Sequence, residues 1–332
     1  MARRVLVTGG AGYIGSHTCK ALALAGYEPV ALDNLVYGHE RAVRYGPFER
    51  ADILDRPALD AAFARHRPEA VLHFAAFAYV GESVADPGKY YRNNAAGTLN
   101  LLEAMRDHGC ARLVFSSSCA VYGVPQALPL REGHPQAPVN PYGATKAMSE
   151  RMMADFGFAH GLRSVSLRYF NAAGADPDGE LGEDHEPETH LLPLAIEAAL
   201  GLRGPLSVFG GDYPTPDGTA VRDYVHVQDL ALAHVAALRR MENAQDAPAA
   251  EAFNLGLGRG TSVAEVLAAV EKVSGRAVPH AMAPRRAGDP PMLVADSALA
   301  REALGWQPQF TDVESIIATA WDWHARGRRP KN

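Results

Sequence analysis

The stretch VLVTGGAGYIGSH, residues 5–17, decides the fold, because it joins a short apolar run to three spaced glycines and then to a helical pattern. Gly9 permits a tight turn after a strand, Gly12 lets the backbone approach a pyrophosphate, and Gly15 allows a helix to pack closely on a strand. A helix N-terminus also supplies free N–H groups and a partial positive charge to phosphates. The stretch therefore predicts a strand–turn–helix unit that binds a dinucleotide.

The predicted second strand ends in an acid that indicates which dinucleotide is bound. Asp33, in VALDNL, is placed to accept hydrogen bonds from both hydroxyls of an adenosine ribose, and its charge would repel a 2′-phosphate. The nearest following arginine is Arg41, so the pattern favours NAD over NADP. Asp52, after the third predicted strand, is either an adenine contact or a capping residue. The other cofactor contacts expected around these positions are Tyr13, Ile14, Asn34 and Ile53.

The composition fits a globular protein of two domains. The chain has 332 residues, 47% of them apolar and 21% charged, and its net charge is −6. The acidic balance argues against a nucleic-acid binder, and no apolar stretch approaches the ~20 residues that span a bilayer. Three cysteines without CxxC spacing indicate reduced thiols in a cytoplasmic protein. The 13 histidines show no metal-ligand spacing, so no metal is expected.

The first half alternates β-rich runs with helical segments, which predicts an α/β fold built on a Rossmann-type, doubly wound parallel sheet. The predicted strands are Arg4–Thr8, Pro29–Asp33, Pro47–Ala51, Ala70–Phe74, Arg112–Ser116, Arg163–Arg168 and Glu251–Leu255. The predicted helices are Gly12–Ala25, Asn94–His108, Val227–Met241, Ser262–Ser274 and Thr311–Trp323. We expect an NAD-binding domain over residues 1–170 and a smaller α/β substrate-binding domain over 171–332, with segments near 225–255 returning to the first domain.

The stretch NPYGATKAMSE, residues 140–150, holds the candidate catalytic pair. Asn140 suits an N-cap, and Tyr142 and Lys146 then lie four residues apart on one face of a helix. An ammonium near a phenol should lower the tyrosine pKa and make Tyr142 a general base, although YxxxK is also a common surface pair. Ser118, at the end of the fifth predicted strand, is expected to pass the proton to Tyr142. The neighbouring residues expected to cap backbone groups are Ser116 and Ser117.

Six motifs carry a resemblance across the chain from Val5 to Trp323. They are TGGAGYIG, HFAA, FSSSCAVYG, YGATK, RYFNAAGA and VRDYVHV. In their order and spacing the chain resembles the extended short-chain dehydrogenase/reductase family, and most of all its UDP-glucose and UDP-arabinose 4-epimerases. The resemblance implies an NAD-dependent enzyme acting on a UDP-sugar, and a homodimer joined through the helices Lys89–His108 and Tyr142–His160.

The residues after the fifth strand choose among reactions of this family. Sugar-nucleotide 4,6-dehydratases carry Thr-Asp-Glu there, and UDP-glucuronate decarboxylases usually place a glutamate at the position of Ala120. This chain has Ser118, Cys119 and Ala120, which leaves a plain redox cycle. The resemblance then implies that Tyr142 takes the proton of the sugar 4-hydroxyl while the C4 hydride moves to NAD+. The 4-ketose turns over and receives the hydride on its other face, so NAD stays bound. Lys146 tunes Tyr142 and holds the ribose.

The resemblance also implies contacts for both ligands. The remaining cofactor contacts are Phe74, Ala75, Ala76, Asn93, Ser116 and Tyr169. The contacts to the UDP-sugar, besides Ser118 and Tyr142, are Asn171, His190, Leu191, Phe209, Arg222, Arg286, Asp289 and Leu293. Among these, Arg222 and Arg286 are expected to clamp the diphosphate, because guanidinium groups offer bidentate donors. The alternative is that they form surface ion pairs with Asp223 and Asp289.

Three positions depart from the best-known relatives and leave the sugar open. Ala78 stands where many bacterial UDP-glucose epimerases have a lysine, and His190 stands where they have an asparagine. Leu293 occupies a position that gates the sugar pocket, or is core packing. UDP-glucose and UDP-galactose are the first expectation, and the alternatives are UDP-arabinose and UDP-xylose or UDP-N-acetylhexosamines. A non-catalytic NAD-sensing regulator is a remoter alternative, because such proteins typically lose the tyrosine or the lysine.

Overall fold

The computed structural model describes residues 3–243, 248–285 and 290–327. Its strands are β1 Arg4–Thr8, β2 Glu28–Asp33, β3 Phe48–Arg50, β4 Ala70–His73, β5 Arg112–Ser118, β6 Arg163–Tyr169, β7 Asn171–Ala173, β8 Leu206–Phe209, β9 Val221–Arg222, β10 Tyr224–His226, β11 Ala250–Leu255, β12 Thr261–Ser262, β13 His280–Ala283 and β14 Met292–Leu293. Its α-helices are α1 Tyr13–Leu24, α2 Arg56–His66, α3 Val80–Ala85, α4 Pro87–Tyr90, α5 Gly97–Asp107, α6 Pro141–His160, α7 Leu191–Ala199, α8 Val227–Asn243, α9 Val263–Ser274, α10 Ala298–Leu304 and α11 Val313–Ala325. A π-helical segment, Tyr91–Ala96, leads into α5, and short 3₁₀ turns cover Glu40–Ala42 and Cys119–Val121.

The central sheet has seven parallel strands in the order β11-β6-β5-β4-β1-β2-β3. Successive side chains of each strand point to opposite faces, so Val5 and Val7 enter one buried cluster and Leu6 the other. Both faces are apolar because both are covered, which is typical of parallel sheets. The predicted doubly wound α/β fold is therefore confirmed. Its strand order reverses between β1 and β4, the point outside which such sheets bind ligands.

The second half of the chain forms smaller sheets beside the central one. They pair β7 with β10, β8 with β13, and β9 with both β12 and β14. Helices α7, α9 and α11 surround a third buried cluster that includes Leu192, Val266 and Ile316. Strand β11 returns to the edge of the central sheet next to β6, as predicted. The division into domains at residue 170 stays a proposal.

The element bounds differ from the predictions where tertiary contacts act. Strand β5 continues to Ser118, two residues beyond the predicted end, because it pairs with β6 up to Tyr169. The helix predicted from Asn94 starts earlier as the π-helical segment and becomes α-helical at Gly97. None of the helices in the described residues is both long enough and apolar enough to cross a membrane.

Candidate active site

The glycine loop lies at the carboxyl end of β1 and opens α1. Gly9 has φ +74°, and a Cβ there would lie 2.7 Å from the backbone nitrogen of Ala75, so the turn requires glycine. At Gly15 a Cβ would lie 2.1 Å from the Gly9 carbonyl oxygen, so this glycine lets the helix meet the loop itself. Gly12 is the N-cap of α1 and has no side chain to cover the first N–H groups of the helix. The loop therefore fits the phosphates of a dinucleotide.

The side chains at the start of α1 face the protein and not the loop opening. The Tyr13 hydroxyl donates to the Gly174 carbonyl at 2.6 Å, which joins α1 to the second half of the chain. Ile14 packs on the buried cluster behind the sheet. Any contact of these two predicted residues with a cofactor would therefore run through their backbone.

Asp33 lies at the end of β2 beside the glycine loop, as predicted. Its carboxylate accepts backbone N–H groups from Ala11 at 3.0 Å and from Leu35 at 2.8 Å. Burial raises its pKa, and these two hydrogen bonds oppose the rise. Leu35 has φ +62°, which is strained for a residue with a branched side chain. Gly38 approaches so closely that a Cβ there would lie 2.9 Å from either Asp33 oxygen. Sequence reasoning missed both of these neighbours.

Asp52 and its neighbours lie beside the segment that follows Asp33. The Asp52 carboxylate accepts the Leu54 N–H at 2.8 Å and the Asn34 side-chain amide at 2.9 Å. The capping alternative therefore describes its contacts, while an adenine contact stays a prediction. Ile53 is buried against Gly97, where a Cβ would lie 2.5 Å from the Ile53 side chain.

The segment after β4 lies against the glycine loop. Phe74, Ala75 and Ala76 are half-buried at this edge, and the Phe74 N–H donates to the Thr8 carbonyl at 2.8 Å. Asn93 is buried in the π-helical segment and donates to the side chain of Asn94 at 2.9 Å. Such π-helical turns occur frequently at functional sites.

Asn94 was missed by sequence reasoning. Its side chain accepts the Phe77 N–H and donates to the Phe77 carbonyl, both at 2.9 Å, and reaches Thr145 of α6 at 3.2 Å. It therefore connects the strand-end segment to the helix that carries the candidate catalytic pair. The only signal in the sequence is the Asn-Asn doublet in YYRNNAAG.

The candidate catalytic residues come together at the end of β5 and the start of α6. Asn140 caps α6 by accepting the Gly143 N–H at 2.8 Å, as predicted. The Ser118 hydroxyl is hydrogen-bonded to Tyr142 and accepts the Ala120 N–H at 3.1 Å. The ammonium of Lys146 lies 5.9 Å from the centre of the Tyr142 ring and donates to the Ser116 carbonyl at 2.7 Å.

The predicted lowering of the Tyr142 pKa is wrong in this structure. Part of the Tyr142 ring is exposed, but desolvation around its hydroxyl raises its pKa to about 12, against the opposing hydrogen bond with Ser118. Burial also lowers the pKa of Lys146 to about 7, although the charge of Glu150 opposes this. Burial disfavours the charged form of either group, and here it outweighs the attraction between phenolate and ammonium.

Ser116 and Ser117 do not cap backbone groups, which corrects the prediction. Both lie within β5, where their side chains point to opposite faces of the sheet. The Ser116 hydroxyl shares a very short hydrogen bond with the hydroxyl of Tyr169 on β6. The Ser117 hydroxyl donates to Glu150 at 2.5 Å.

Glu150 is a further residue that sequence reasoning missed. It lies one turn after Lys146 on α6, and its carboxylate forms a buried ion pair with Arg168, with Nη2 to Oε2 at 2.5 Å. This pair fixes α6 against β6. The signal available in the sequence was a glutamate four residues after the lysine.

The second half of the chain brings Arg222 and Leu293 to the same edge. Arg222 on β9 pairs in register with Leu293 on β14. Leu293 is half-buried and packs on a cluster that contains Cys119 and Phe170, next to Ser118. Burial raises the pKa of Cys119, and the charge of Arg222 opposes that rise.

The side chain of Asp223 is hydrogen-bonded to backbone groups. Its buried carboxylate accepts the N–H groups of Leu257 at 2.7 Å, Gly258 at 3.1 Å and Ala295 at 3.1 Å. Burial raises its pKa to about 6. These contacts explain its position without the surface ion pair with Arg222 that the sequence left open.

The other predicted substrate residues lie on separate elements. Asn171 begins β7, Phe209 ends β8 and Leu191 begins α7, and all three are half-buried. The Asn171 N–H donates to the Asp223 carbonyl at 3.0 Å. Arg286 and Asp289 lie outside the described residues.

His190, the N-cap of α7, belongs to a cluster that the sequence spacing did not indicate. Its Nδ1 lies 2.9 Å from a carboxylate oxygen of Glu183 and 2.9 Å from one of Glu188, and His185 lies beside them. Burial disfavours its charged form, but the two carboxylates outweigh burial and raise the His190 pKa to about 10. The expectation that no metal is bound stays a prediction at this point.

Comparisons with known proteins agree over nearly the whole chain. The model of the NAD dependent epimerase/dehydratase family matches residues 5–256. The UDP-glucose 4-epimerase of Rhizobium meliloti is 55% identical over 322 residues, which are 97% of each chain. The crystal structure of UDP-glucose 4-epimerase from Brucella ovis in complex with NAD is 56% identical, with a TM-score of 0.93 over 97% of this chain and 98% of that one.

A further solved structure is that of UDP-glucose 4-epimerase from Bifidobacterium longum in complex with NAD+ and UDP. It is 39% identical, with a TM-score of 0.92 over 98% of each chain. The chain therefore belongs to the NAD dependent epimerase/dehydratase family.

Proposed function

We propose that the protein inverts C4 of a UDP-sugar in an NAD-dependent redox cycle, with UDP-glucose and UDP-galactose as the substrate pair. One observation carries this proposal. Ser118, Tyr142 and Lys146 lie close together at the edge of the sheet that also carries the glycine loop. Relatives at 55% and 56% identity are named UDP-glucose 4-epimerases, and solved structures of this kind contain NAD or UDP.

The residues of the chain fit NAD. The glycine loop leaves the N-terminus of α1 uncovered for phosphates, and Asp33 retains lone pairs for ribose hydroxyls after accepting its two backbone hydrogen bonds. When bound, NAD+ supplies the acceptor for the two electrons that leave C4 as a hydride and later return. In this proposal Lys146, whose ammonium donates to the Ser116 carbonyl at 2.7 Å, also bonds ribose hydroxyls.

The remaining chemistry belongs to side chains. In this proposal Tyr142 removes the proton of the sugar 4-hydroxyl and returns it after the ketose has turned over, which requires the bound ligands to offset the burial that raises its pKa to about 12. Ser118, hydrogen-bonded to Tyr142, carries that proton between the sugar oxygen and the phenol. Arg222 neutralises the diphosphate, as guanidinium groups do at phosphate sites. In this assignment, Asn171, Phe209 and Leu293 hold the nucleotide and the sugar.

The identity of the sugar depends on the space beside Leu293. A leucine there is smaller than a tyrosine, so a bulky substituent at C2 is sterically compatible with this position.

Purified protein without added NAD is incubated separately with UDP-galactose, UDP-N-acetylgalactosamine and UDP-arabinopyranose, and the products are resolved by chromatography. We expect the C4 epimer of UDP-galactose. We also expect Leu293→Tyr to reduce turnover of UDP-N-acetylgalactosamine more than that of UDP-galactose. No epimer from any of the three, with or without added NAD, would contradict the proposal.

We also propose a homodimer in the cytoplasm. Leu99 on α5 and Met148 on α6 have 39% and 46% of their surface exposed, which supports an interface through these two helices. The free, buried cysteines Cys19, Cys110 and Cys119 support a reducing compartment. A monomer in sedimentation velocity at micromolar concentration would overturn the first proposal, and recovery outside the cytoplasmic fraction would overturn the second.

A further inference from the structure

We infer that Glu183, His185, Glu188 and His190 form a binding site for one divalent cation of the zinc type, beside the entrance to the cofactor site. Each residue offers one ligand atom, and the four atoms lie within 4.8 Å of one another. Two imidazole nitrogens and two carboxylate oxygens are a donor set that Zn²⁺ accepts in tetrahedral geometry. Two carboxylates also balance the charge of a divalent ion when both imidazoles are neutral.

The distances between the candidate ligand atoms are close to those of a tetrahedral site. Zinc–ligand bonds of about 2.0–2.1 Å place neighbouring ligand atoms about 3.3–3.4 Å apart. The His190 Nδ1 lies 2.9 Å from an oxygen of Glu183 and 2.9 Å from one of Glu188. The His185 Nδ1 lies 3.2 Å from the same Glu183 oxygen and 3.7 Å from the second oxygen of Glu188. These four distances involve both oxygens of Glu188 and span 2.9–3.7 Å, and one ligand atom from each residue lies within 4.8 Å of the others, so the side chains would adjust around a bound ion.

Two of the ligand atoms have ion-pair contacts with each other but, in the part of the chain that the structure describes, no partner in hydrogen-bonding geometry. Among the described residues, His185 Nδ1 and Glu188 Oε2 are buried without a hydrogen-bond partner. His185 is close to Glu183 but outside hydrogen-bonding geometry with it. Buried polar atoms normally have partners, and a cation between them would supply one. The exposed surface of His190, whose side chain is 40% accessible, gives an ion a path to the site.

Supporting contacts hold the carboxylate of Glu188 in place. Its Oε1 accepts the backbone N–H groups of Thr189 at 2.7 Å and of His190 at 2.8 Å. Contacts of this kind orient metal ligands and are a common feature of real sites. The Glu183 side chain is only 5% exposed, so its carboxylate is also confined.

The position of the site suggests what an ion would do. The ring of His185 lies 6.2 Å from that of Tyr13 at the start of α1, and the Tyr79 hydroxyl donates to the Pro187 carbonyl at 3.1 Å. His39, in the loop after β2, reaches the Asp184 carbonyl at 2.8 Å. Segment 183–190 therefore crosses three loops of the cofactor-binding edge. An ion that stiffens this segment should slow NAD dissociation, a consequence that rests on the proposed function.

The metal alone tests the site, independently of turnover. Chelator-treated protein is dialysed against Co²⁺, whose visible absorption distinguishes tetrahedral from octahedral coordination, and bound metal is counted per chain. We expect one Co²⁺ per chain with a tetrahedral spectrum, displaced by Zn²⁺. His190→Asn and Glu188→Gln should each weaken metal binding by about tenfold to a hundredfold. His280→Gln, which removes an exposed histidine on β13, should bind as the wild type does.

Three results would overturn the inference. They are a wild-type dissociation constant weaker than about 1 mM, an octahedral spectrum that is unchanged in His190→Asn, and equal uptake by all variants. Thermal melting of each variant shows that it is folded. Because metal uptake does not require the sugar reaction, the site can fail while the proposed function stands, and the reverse also holds.

Discussion

The hydroxyl of Tyr142 and the ammonium of Lys146 are both surrounded by protein, and this shared burial acts on them in opposite directions. It raises the pKa of Tyr142 to about 12 and lowers that of Lys146 to about 7. The i,i+4 spacing was enough to predict that the two groups meet. It was not enough to predict their charge states, because desolvation depends on β5, β6 and the buried Glu150, which the local sequence does not describe.

Replacement of Tyr142 by phenylalanine removes one oxygen and keeps the ring. We expect Tyr142→Phe to lower kcat by about 10²–10⁴-fold, because general acid–base catalysis typically contributes that factor. Steady-state rates with UDP-galactose measure the loss, while thermal melting and retained NAD show that the fold is intact. Tyr91→Phe, at an exposed tyrosine of the π-helical segment, serves as the control. A Tyr142→Phe enzyme as fast as the wild type would exclude this residue as the base.

The buried Lys146 predicts a pH dependence of stability. Its pKa is about 7 in the folded protein and 10.5 ordinarily, so between these values the unfolded chain binds more protons than the folded one. The free energy of unfolding contributed by this group therefore rises with pH in that window. Relative to Lys146→Met, the wild type should gain up to about 1.4 kcal/mol per pH unit from pH ~7 to ~9. Denaturant unfolding of the nucleotide-free proteins at several pH values measures this difference in the free energy of unfolding. Lys272→Met, at an exposed lysine, should show no such trend, and a flat difference for Lys146 would contradict its burial.

The candidate site lies at the carboxyl ends of β1, β2, β4 and β5. The strands and helices that form this edge were largely predictable from the sequence. Glycine spacing, apolar runs and the cap at Asn140 are local signals, and the structure follows them. The π-helical segment was not predictable, because it depends on Asn94 bonding the backbone of Phe77 and the side chain of Thr145. Those partners lie 17 and 51 residues away along the chain, beyond the reach of a local pattern.

The first turn of α1 yields a prediction that separates binding from folding. At Gly12, with φ −82°, an added Cβ would meet the Gly9 carbonyl oxygen at 3.3 Å and, chain neighbours aside, no other heavy atom of the described residues within 4 Å. At Gly15 the added Cβ would clash at 2.1 Å. We expect Gly12→Ala to weaken NAD binding at least about tenfold, or ~1.4 kcal/mol, with a near-wild-type melting temperature. Gly15→Ala should lower both the affinity for NAD and the melting temperature.

Calorimetric titration of NAD and thermal melting separate the two effects. Gly81→Ala is the control, since a Cβ there would meet no described residue within 4 Å beyond its chain neighbours and the adjacent backbone of α3. If Gly12→Ala bound NAD as tightly as the wild type, the glycine loop would not be the phosphate site.

The whole molecule assembles its site from both halves of the chain. Ser118 and Tyr142 come from the central sheet and α6, while Arg222 and Leu293 arrive from β9 and β14. The order of the motifs predicts that these residues act together, and their shared role stays a prediction. The cluster from Glu183 to His190 was not indicated, because an extended loop sets which of its side chains converge, and this loop is positioned by contacts with Tyr13, His39 and Tyr79.

One isotope experiment tests the central claim of a redox cycle at C4. Purified protein is given UDP-galactose deuterated at C4, and the UDP-glucose formed is examined by mass spectrometry and NMR. If the hydrogen leaves C4 as a hydride and returns to the opposite face, the product keeps deuterium at C4, and protium from solvent is absent there. Loss of the label to solvent would show that C4 is inverted by proton exchange, and it would contradict a hydride cycle through NAD.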